Sequence, residues 1–271
     1  IAAECLQEYV WRLFIDLPQL LGEAARPGDL ADLRRRMPAA AGEAEWLDIA
    51  EDAEALLEQR VFGMRARDWL ALDAARRARW VDDAALPAAR MLARLRTCRV
   101  DPPRDFLPWL DAEALRTEIA PALDASPAFV AKPAWRGRPA ETGALARQRL
   151  QPHIARELEL NGLSARLLAR LTELAALPAQ LRRPLAQGVR SISAGAGIGI
   201  AAVETARGTL IHRAALDGER VAHYRIVAPT EWNFHPRGAF PRGLAGMPAR
   251  NEGELRQAVA LLAHALDPCV A

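Results

Sequence analysis

The sequence predicts an α+β fold, predominantly α-helical, with one small antiparallel sheet or hairpin. Three observations carry this. Apolar residues recur every three or four positions over most of residues 1–95 and again over 141–176, the period of a helix buried on one face. A short apolar run at 198–203 and two alternating runs at 209–216 and 219–227 have the length and pattern of strands. Asp217-Gly218 stands between the last two, a two-residue hairpin signal because such turns take positive φ.

The elements follow in order. Val10, Leu13, Phe14 and Leu17 fall at helical spacing, and Pro18 with Gly22 is expected to break that helix. Gly28-Asp29-Leu30 opens a second amphipathic stretch, which Pro38 ends. A third spans 45–58, with Trp46, Ile49, Ala53, Leu56 and Leu57 on one face; residues 67–96 are helical again, interrupted at Pro87. Pro102, Pro103, Pro108, Pro121, Pro127, Pro133 and Pro139 crowd residues 99–140, which predicts irregular chain with short helices. Trp80, Trp109 and Trp135 nearby favour a packed segment over a linker, since disordered linkers are poor in aromatics.

Residues 141–150 and 154–176 read as helices, the second ending near Pro178. Gly195-Ala196-Gly197-Ile198-Gly199 lacks the GxGxxG spacing and runs into strand-like residues. It reads as a glycine-rich bend before a strand rather than a dinucleotide loop. In the last helix Asn251 is the cap, Glu254 its capping-box partner, and Leu255, Val259, Leu262 and Leu266 the buried face. Pro268 stops it and leaves Cys269 just beyond. Along the chain, a helical region at 1–130 precedes a region at 131–271 with the hairpin and the C-terminal helix, the two forming one integrated domain.

Composition excludes several classes. Lys plus Arg is 36 and Asp plus Glu is 34 among 271 residues, too balanced to point to nucleic acid or an anionic membrane. No apolar run approaches the roughly 20 residues of a membrane span. Three cysteines, Cys5, Cys98 and Cys269, form no spaced pair, which fits a reducing cytoplasm; Cys5 and Cys98 read as structural. The chain starts on Ile1 and stops after Cys269-Val270-Ala271, and both ends are expected to be cut.

Few residues carry chemistry individually. A thiol fixed behind Pro268 suits a soft or borderline metal, while a buried structural cysteine is the commoner fate. Arg207-Gly208 at a strand start either aims a fork of donors into a cavity or sits in a surface turn. Pro229-Thr230 after the hairpin either binds a small anion or forms a turn leaving the sheet. The five histidines show no HxxxH or HExxH spacing; His212 and His223, on facing strands, are expected to lie near each other.

Taken together, these segments resemble the C-terminal half of NiFe-hydrogenase large subunits. Lys132-Pro133-Ala134-Trp135-Arg136-Gly137-Arg138-Pro139-Ala140-Glu141-Thr142-Gly143-Ala144-Leu145-Ala146-Arg147 is similar to that family's P-x-x-x-G-x-P-x-E-x-G-P-L-A-R segment. Val203-Glu204-Thr205-Ala206-Arg207-Gly208-Thr209-Leu210-Ile211-His212 is similar to V-E-A-P-R-G-x-L-x-H. Ala228-Pro229-Thr230-Glu231-Trp232-Asn233 is similar to V-P-T-x-W-N, and Asp267-Pro268-Cys269 to the start of D-P-C-x-x-C. The helical lead-in, with Tyr9-Val10-Trp11-Arg12-Leu13-Phe14-Ile15-Asp16-Leu17-Pro18, is similar to the accessory proteins of this superfamily called HupK or HoxV.

The departures shape the expectation. Arg60-Val61-Phe62-Gly63-Met64 keeps the outline of the R-x-C-G-x-C pair but offers a phenyl ring where a thiolate is needed, so no nickel is expected. The resemblance implies a large-subunit-like fold and a non-catalytic scaffold or chaperone that assembles or transfers an Fe(CN)2(CO) unit. In that role Arg207 and Thr230 would face the cyanides, Ala228 and Pro229 would wall the carbonyl, and Cys269 would ligate iron. Its partners would be the maturation chaperones and the hydrogenase large subunit. The alternatives are a metal-free docking partner of that machinery and a divergent nickel-containing subunit.

Overall fold

The computed structural model describes residues 2–25, 28, 31, 43–98, 100, 102–182, 189–245, 247 and 249–267. In chain order the helices are α1 (Ala2–Trp11), α2 (Leu17–Leu20), α3 (Glu43–Leu57), α4 (Ala66–Leu70), α5 (Ala74–Asp83), α6 (Pro87–Arg96), α7 (Ala112–Ala114), α8 (Ala120–Ala125), α9 (Ala144–Gln148), α10 (Pro152–Leu160) and α11 (Gly162–Arg182). Then come β1 (Val189–Gly195), β2 (Ile198–Thr205), β3 (Gly208–Asp217), β4 (Arg220–Val227), α12 (Pro229–Asn233), α13 (Ala239–Leu244) and α14 (Glu252–Leu266). The result is the predicted α+β architecture. No described helix is long and apolar enough to cross a membrane. The stretch read as a helix from Gly28 to Pro38 lies largely outside the described residues.

Two compact units form, and neither is one continuous stretch. The first takes Ile1–Val100, Gln148–Leu185 and Pro248–Ala265; the second takes Asp101–Arg147, Ala186–Met247 and Leu266–Ala271.

The helical unit is built around α11, against which α1, α3, α4, α6 and α10 pack. Leu163, Ala165, Leu168, Leu171 and Leu174 are all buried, so α11 is apolar around most of its circumference, as a central helix must be. It starts where Asn161 takes an extended conformation, splitting the predicted helix 154–176 in two. The Asn161 side chain accepts the N–H groups of Leu163 and Ser164 at 2.9 Å each and donates to the Cys98 carbonyl at 2.8 Å. Beside it, buried Glu157 receives Arg96 at 2.8 and 2.6 Å and the Ser164 hydroxyl at 2.5 Å. The helix does not end near Pro178; it continues to Arg182. One missing N–H is outweighed by burial of Leu177 and Leu181 on either side.

Pro18 likewise fails to break its helix. A π-helical turn at Arg12–Asp16 leads directly into α2, and the helix stops at Leu21 and Gly22, where φ reaches 72°. Pro87 does not interrupt a helix but starts α6, where proline's fixed φ and absent N–H cost nothing. In α14 the cap holds, with the Glu254 N–H donating to Asn251 at 2.9 Å. The Glu254 carboxylate takes the Arg250 N–H instead of closing the box on Asn251. Leu261, Leu262 and Leu266 are buried, while Leu255, expected on that face, is 43% exposed. The Arg170 guanidinium donates to the His264 and Ala265 carbonyls at 2.8 and 2.6 Å, capping the negative end of the helix.

The second unit is a meander, β1-β2-β3-β4, antiparallel throughout. The glycine-rich bend is the turn of its first hairpin, with Gly195 at φ 144° and Gly197 at 69°, and β1 precedes it. In the last hairpin Asp217 pairs with Arg220, so Gly218-Glu219 is the turn, and Gly218 alone carries positive φ at 60°. The proline-rich segment packs under the sheet. Leu107, Leu110, Leu115, Ile119 and Leu123 share one core with Ile192, Ile200, Ala202, Ile211, Val227 and Trp232. His212 lies opposite Ile226 and His223 opposite Ala215, so the two imidazoles are not cross-strand neighbours; His212 pairs with the Tyr224 hydroxyl at 2.6 Å.

Candidate functional site

Arg207 lies in the two-residue turn between β2 and β3. The Thr205 hydroxyl closes that turn by donating to the Gly208 carbonyl at 2.9 Å. Gly208 has φ 136°, and a Cβ there would come within 2.4 Å of the Thr142 methyl. Gly143 has φ 115°, and its Cβ would meet the Arg207 carbonyl at 3.1 Å. Two glycines therefore let the Thr142-Gly143 backbone lie directly on the turn that carries Arg207.

A hydrogen-bonded web holds this contact. Thr142 Oγ accepts the Thr209 N–H at 3.0 Å and lies 3.1 Å from the Thr209 hydroxyl. The Thr209 hydroxyl donates to Glu204 Oε1 at 2.8 Å, which leaves the Thr142 hydroxyl to donate to Thr209. Glu204 is buried between two cations, Arg190 at 2.8 Å and Arg147 at 3.1 Å. Arg147 also reaches the Ala206 carbonyl, and Arg190 the Leu110 carbonyl. A carboxylate so enclosed is stable only because its lone pairs are filled by charged donors.

Pro229 is the first residue of α12 and is buried; Thr230 follows, half-buried, its carbonyl accepting the Phe234 N–H at 2.8 Å. Trp232 anchors the helix in the core, edge-on to Phe129 at 6.1 Å. Asn233 is the junction. Its side chain accepts the Thr142 N–H at 2.8 Å and donates to the Leu266 carbonyl at 3.0 Å. Leu266 precedes Asp267, which is buried and left-handed at φ 56°, a conformation that ends helices.

The expected site residues lie as follows. Arg207 is one residue from Gly208, which rests on Thr142; Thr230 is three residues from Asn233, which holds Thr142. The structure thus joins the segments of Arg207, Pro229 and Thr230 through one threonine, and Asn233 extends the link to the Leu266 carbonyl. Cys269 lies outside the described residues. Chemically, a guanidinium and a hydroxyl both donate, and suit a small group with lone pairs or negative charge. Phe62 is fully buried, its ring 4.5 Å from that of Trp69. Among the described residues no three His, Cys, Asp or Glu side chains gather as a metal cluster.

Residue-by-residue reasoning missed Thr142, Glu204, Thr209 and Asn233. One signal was available: Glu204 continues the inward series Ile200, Ala202 of β2, and a carboxylate at an inward position needs buried partners.

Residues 150–271 match the nickel-dependent hydrogenase family. The hydrogenase expression/formation protein HupK of Bradyrhizobium diazoefficiens is 42% identical over 135 residues, covering 48% of this chain and 37% of the relative. HupK of Rhizobium leguminosarum bv. viciae is 41% identical, covering 48% and 36%. The match thus spans little more than a third of the HupK relatives' length. The hydrogenase expression/formation protein HoxV of Cupriavidus necator is 30% identical across 100% of this chain and 75% of the relative. Among solved structures, the Ni-Fe-Se hydrogenase of Desulfovibrio vulgaris Hildenborough matches at 22% identity and TM-score 0.40, over 51% of this chain and 36% of that one. The chain belongs to the HupK/HoxV family of hydrogenase expression/formation proteins.

Proposed function

We propose that this chain is a non-catalytic, cytoplasmic hydrogenase maturation factor that carries an Fe(CN)2(CO) unit, as cargo, toward the hydrogenase large subunit. One observation carries the reading: three of the four segments resembling the large subunit are bonded to one another through Thr142, and two of them carry Arg207 and Thr230. A cyanide bound to iron keeps negative charge on nitrogen. The Arg207 guanidinium and the Thr230 hydroxyl would satisfy it, Ala228 and Pro229 would supply an apolar wall, and Cys269 would be the thiolate to iron. Nickel has no place here, because Phe62 stands where the resembled pattern has a thiolate. Few metal ligands suit a protein that must release its cargo. The maturation chaperones and the large subunit are its partners.

The test is an infrared spectrum of oxygen-free protein co-expressed with the maturation machinery. Cyanide and carbonyl stretches that disappear in Cys269→Ala are expected. A blank spectrum from folded, iron-free protein would instead make the chain a metal-free docking partner.

A further inference from the structure

Away from the exposed Asp217–Arg220 pair at the last turn, the sheet carries its charges on the packed face. Arg190 pairs with Glu204 at 2.8 Å, Arg213 with Asp124 at 2.6 Å, and Arg225 donates to the Leu123 carbonyl. The strand register builds the opposite face from two rows that each cross all four strands. One runs Ser191, Ala201, His212, Ile226; the other runs Ser193, Gly199, Ala214, Tyr224. A third, shorter row is Val189, Val203, Leu210. None of these residues is Asp, Glu, Lys or Arg. The solvated face of an antiparallel sheet is usually its charged one, and this one lacks acidic, lysine and arginine side chains. The face is nonetheless open: Val189 is 57%, Tyr224 54% and Ile226 41% exposed, and nothing lies within 4 Å of a Cβ built on Gly199. An open, partly apolar surface without acidic, lysine or arginine side chains marks a contact.

We propose that this face seats a second copy of the chain, sheet on sheet, about a two-fold axis parallel to the strands. Each complete row has a serine on β1 and its largest residue, isoleucine or tyrosine, on β4. Such an axis lays β1 of one copy over β4 of the other. Ser191 then meets Ile226 of the partner subunit, and Ser193 meets Tyr224 of the partner subunit. Gly199 and Ala214 cross at the centre, where two small residues let the sheets approach closely. A symmetric interface sets each group against a copy of its own surface, and a face without Asp, Glu, Lys or Arg avoids setting like charges of those types against each other.

Size decides between this occupant and a lone helix. Four strands spaced about 4.8 Å apart, about eight residues long at about 3.3 Å each, make a face of roughly 19 by 26 Å. A helix about 10–12 Å wide would cover little more than half of that width. Two such faces bury about 1,000 Å² in total, the size of a weak, reversible association. This dimer does not depend on the cargo reading.

Sedimentation equilibrium from about 1 to 300 µM tests it. The average mass is expected to rise toward twice that of one chain. Gly199→Lys, whose side chain enters open space, should hold the mass at one chain with the thermal midpoint unchanged; Ser193→Lys, on an edge strand, repeats the test if that variant misfolds. In the double variant Ser193→Cys/Tyr224→Cys the thiols sit three strands apart within a copy, about 14 Å, beyond the roughly 7 Å a disulfide spans. Oxidation should therefore link two copies, well above the level of the unsubstituted chain. A single-chain mass throughout, or association and cross-linking indifferent to Gly199→Lys, would overturn the proposal.

Discussion

Glu204 shows how one residue organises a site it does not belong to. Its carboxylate binds Arg190, Arg147 and the Thr209 hydroxyl, and through Thr209 it reaches Thr142, against which the Arg207 turn is pressed. Replacing it with glutamine keeps the shape and removes the charge that balances two buried guanidinium groups. Glu204→Gln is expected to lower stability by about 3–5 kcal/mol, the usual effect of removing one partner from a buried ion pair. Urea unfolding measures this, and a loss below about 1 kcal/mol would mean that water already screens the pair. Gly208 matters at the same scale for a different reason. Its φ and the Thr142 methyl leave no room for a side chain, which is why arginine is followed by glycine there.

At the scale of elements, the start of α11 is the clearest case of a local device with long reach. Asn161 ends α10, caps α11 and ties both to the chain at Cys98. Asn161→Ala should cost about 1–2 kcal/mol for the lost cap alone. Asn161→Asp keeps the cap and loses only the donation to Cys98, so it should recover most of that stability in thermal unfolding. Equal losses from the two variants would assign the stabilisation to the Cys98 contact instead. The sheet illustrates the opposite case. Its hairpin turns are local, at Gly195 to Gly197 and at Gly218, yet strand β1 left little trace. It places Arg190 and Ile192 inward and Ser191 and Ser193 outward, so apolar and polar residues do not alternate cleanly across it.

The whole molecule responds to pH through histidines that folding keeps neutral. Burial, then the nearby Arg77 charge, lowers His153 to about 4. Burial, then Arg170 and Arg12, holds His264 well below the ordinary range. Both are depressed bases, so the unfolded chain takes up protons that the folded chain refuses. Stability is complete above pH 6.5, the ordinary histidine value, and falls below it, for His153 down to about pH 4. Each histidine contributes a slope of at most about 1.4 kcal/mol per pH unit. His153→Gln, which can still bond the Thr172 hydroxyl, should flatten the fall between pH 6.5 and 4 in denaturant titrations. An unchanged slope would mean that His153 already titrates freely in the folded chain.

The sequence by itself determined what depends on neighbours along the chain. Helical periods marked α1, α3 and the interior of α11, Asn251 marked the start of α14, Asp217-Gly218 marked a hairpin, and the ordered segments marked the family. It misjudged Pro18 and Pro178, because the burial that offsets a missing N–H comes from distant helices. Only the tertiary structure decided how the candidate site is assembled. Thr142 meets Asn233 across 91 positions and Thr209 across 67, and Asn233 meets Leu266 across 33. Hydrogen bonds of that separation leave no spacing to read, because each polar group accepts any partner that the packed core brings within reach.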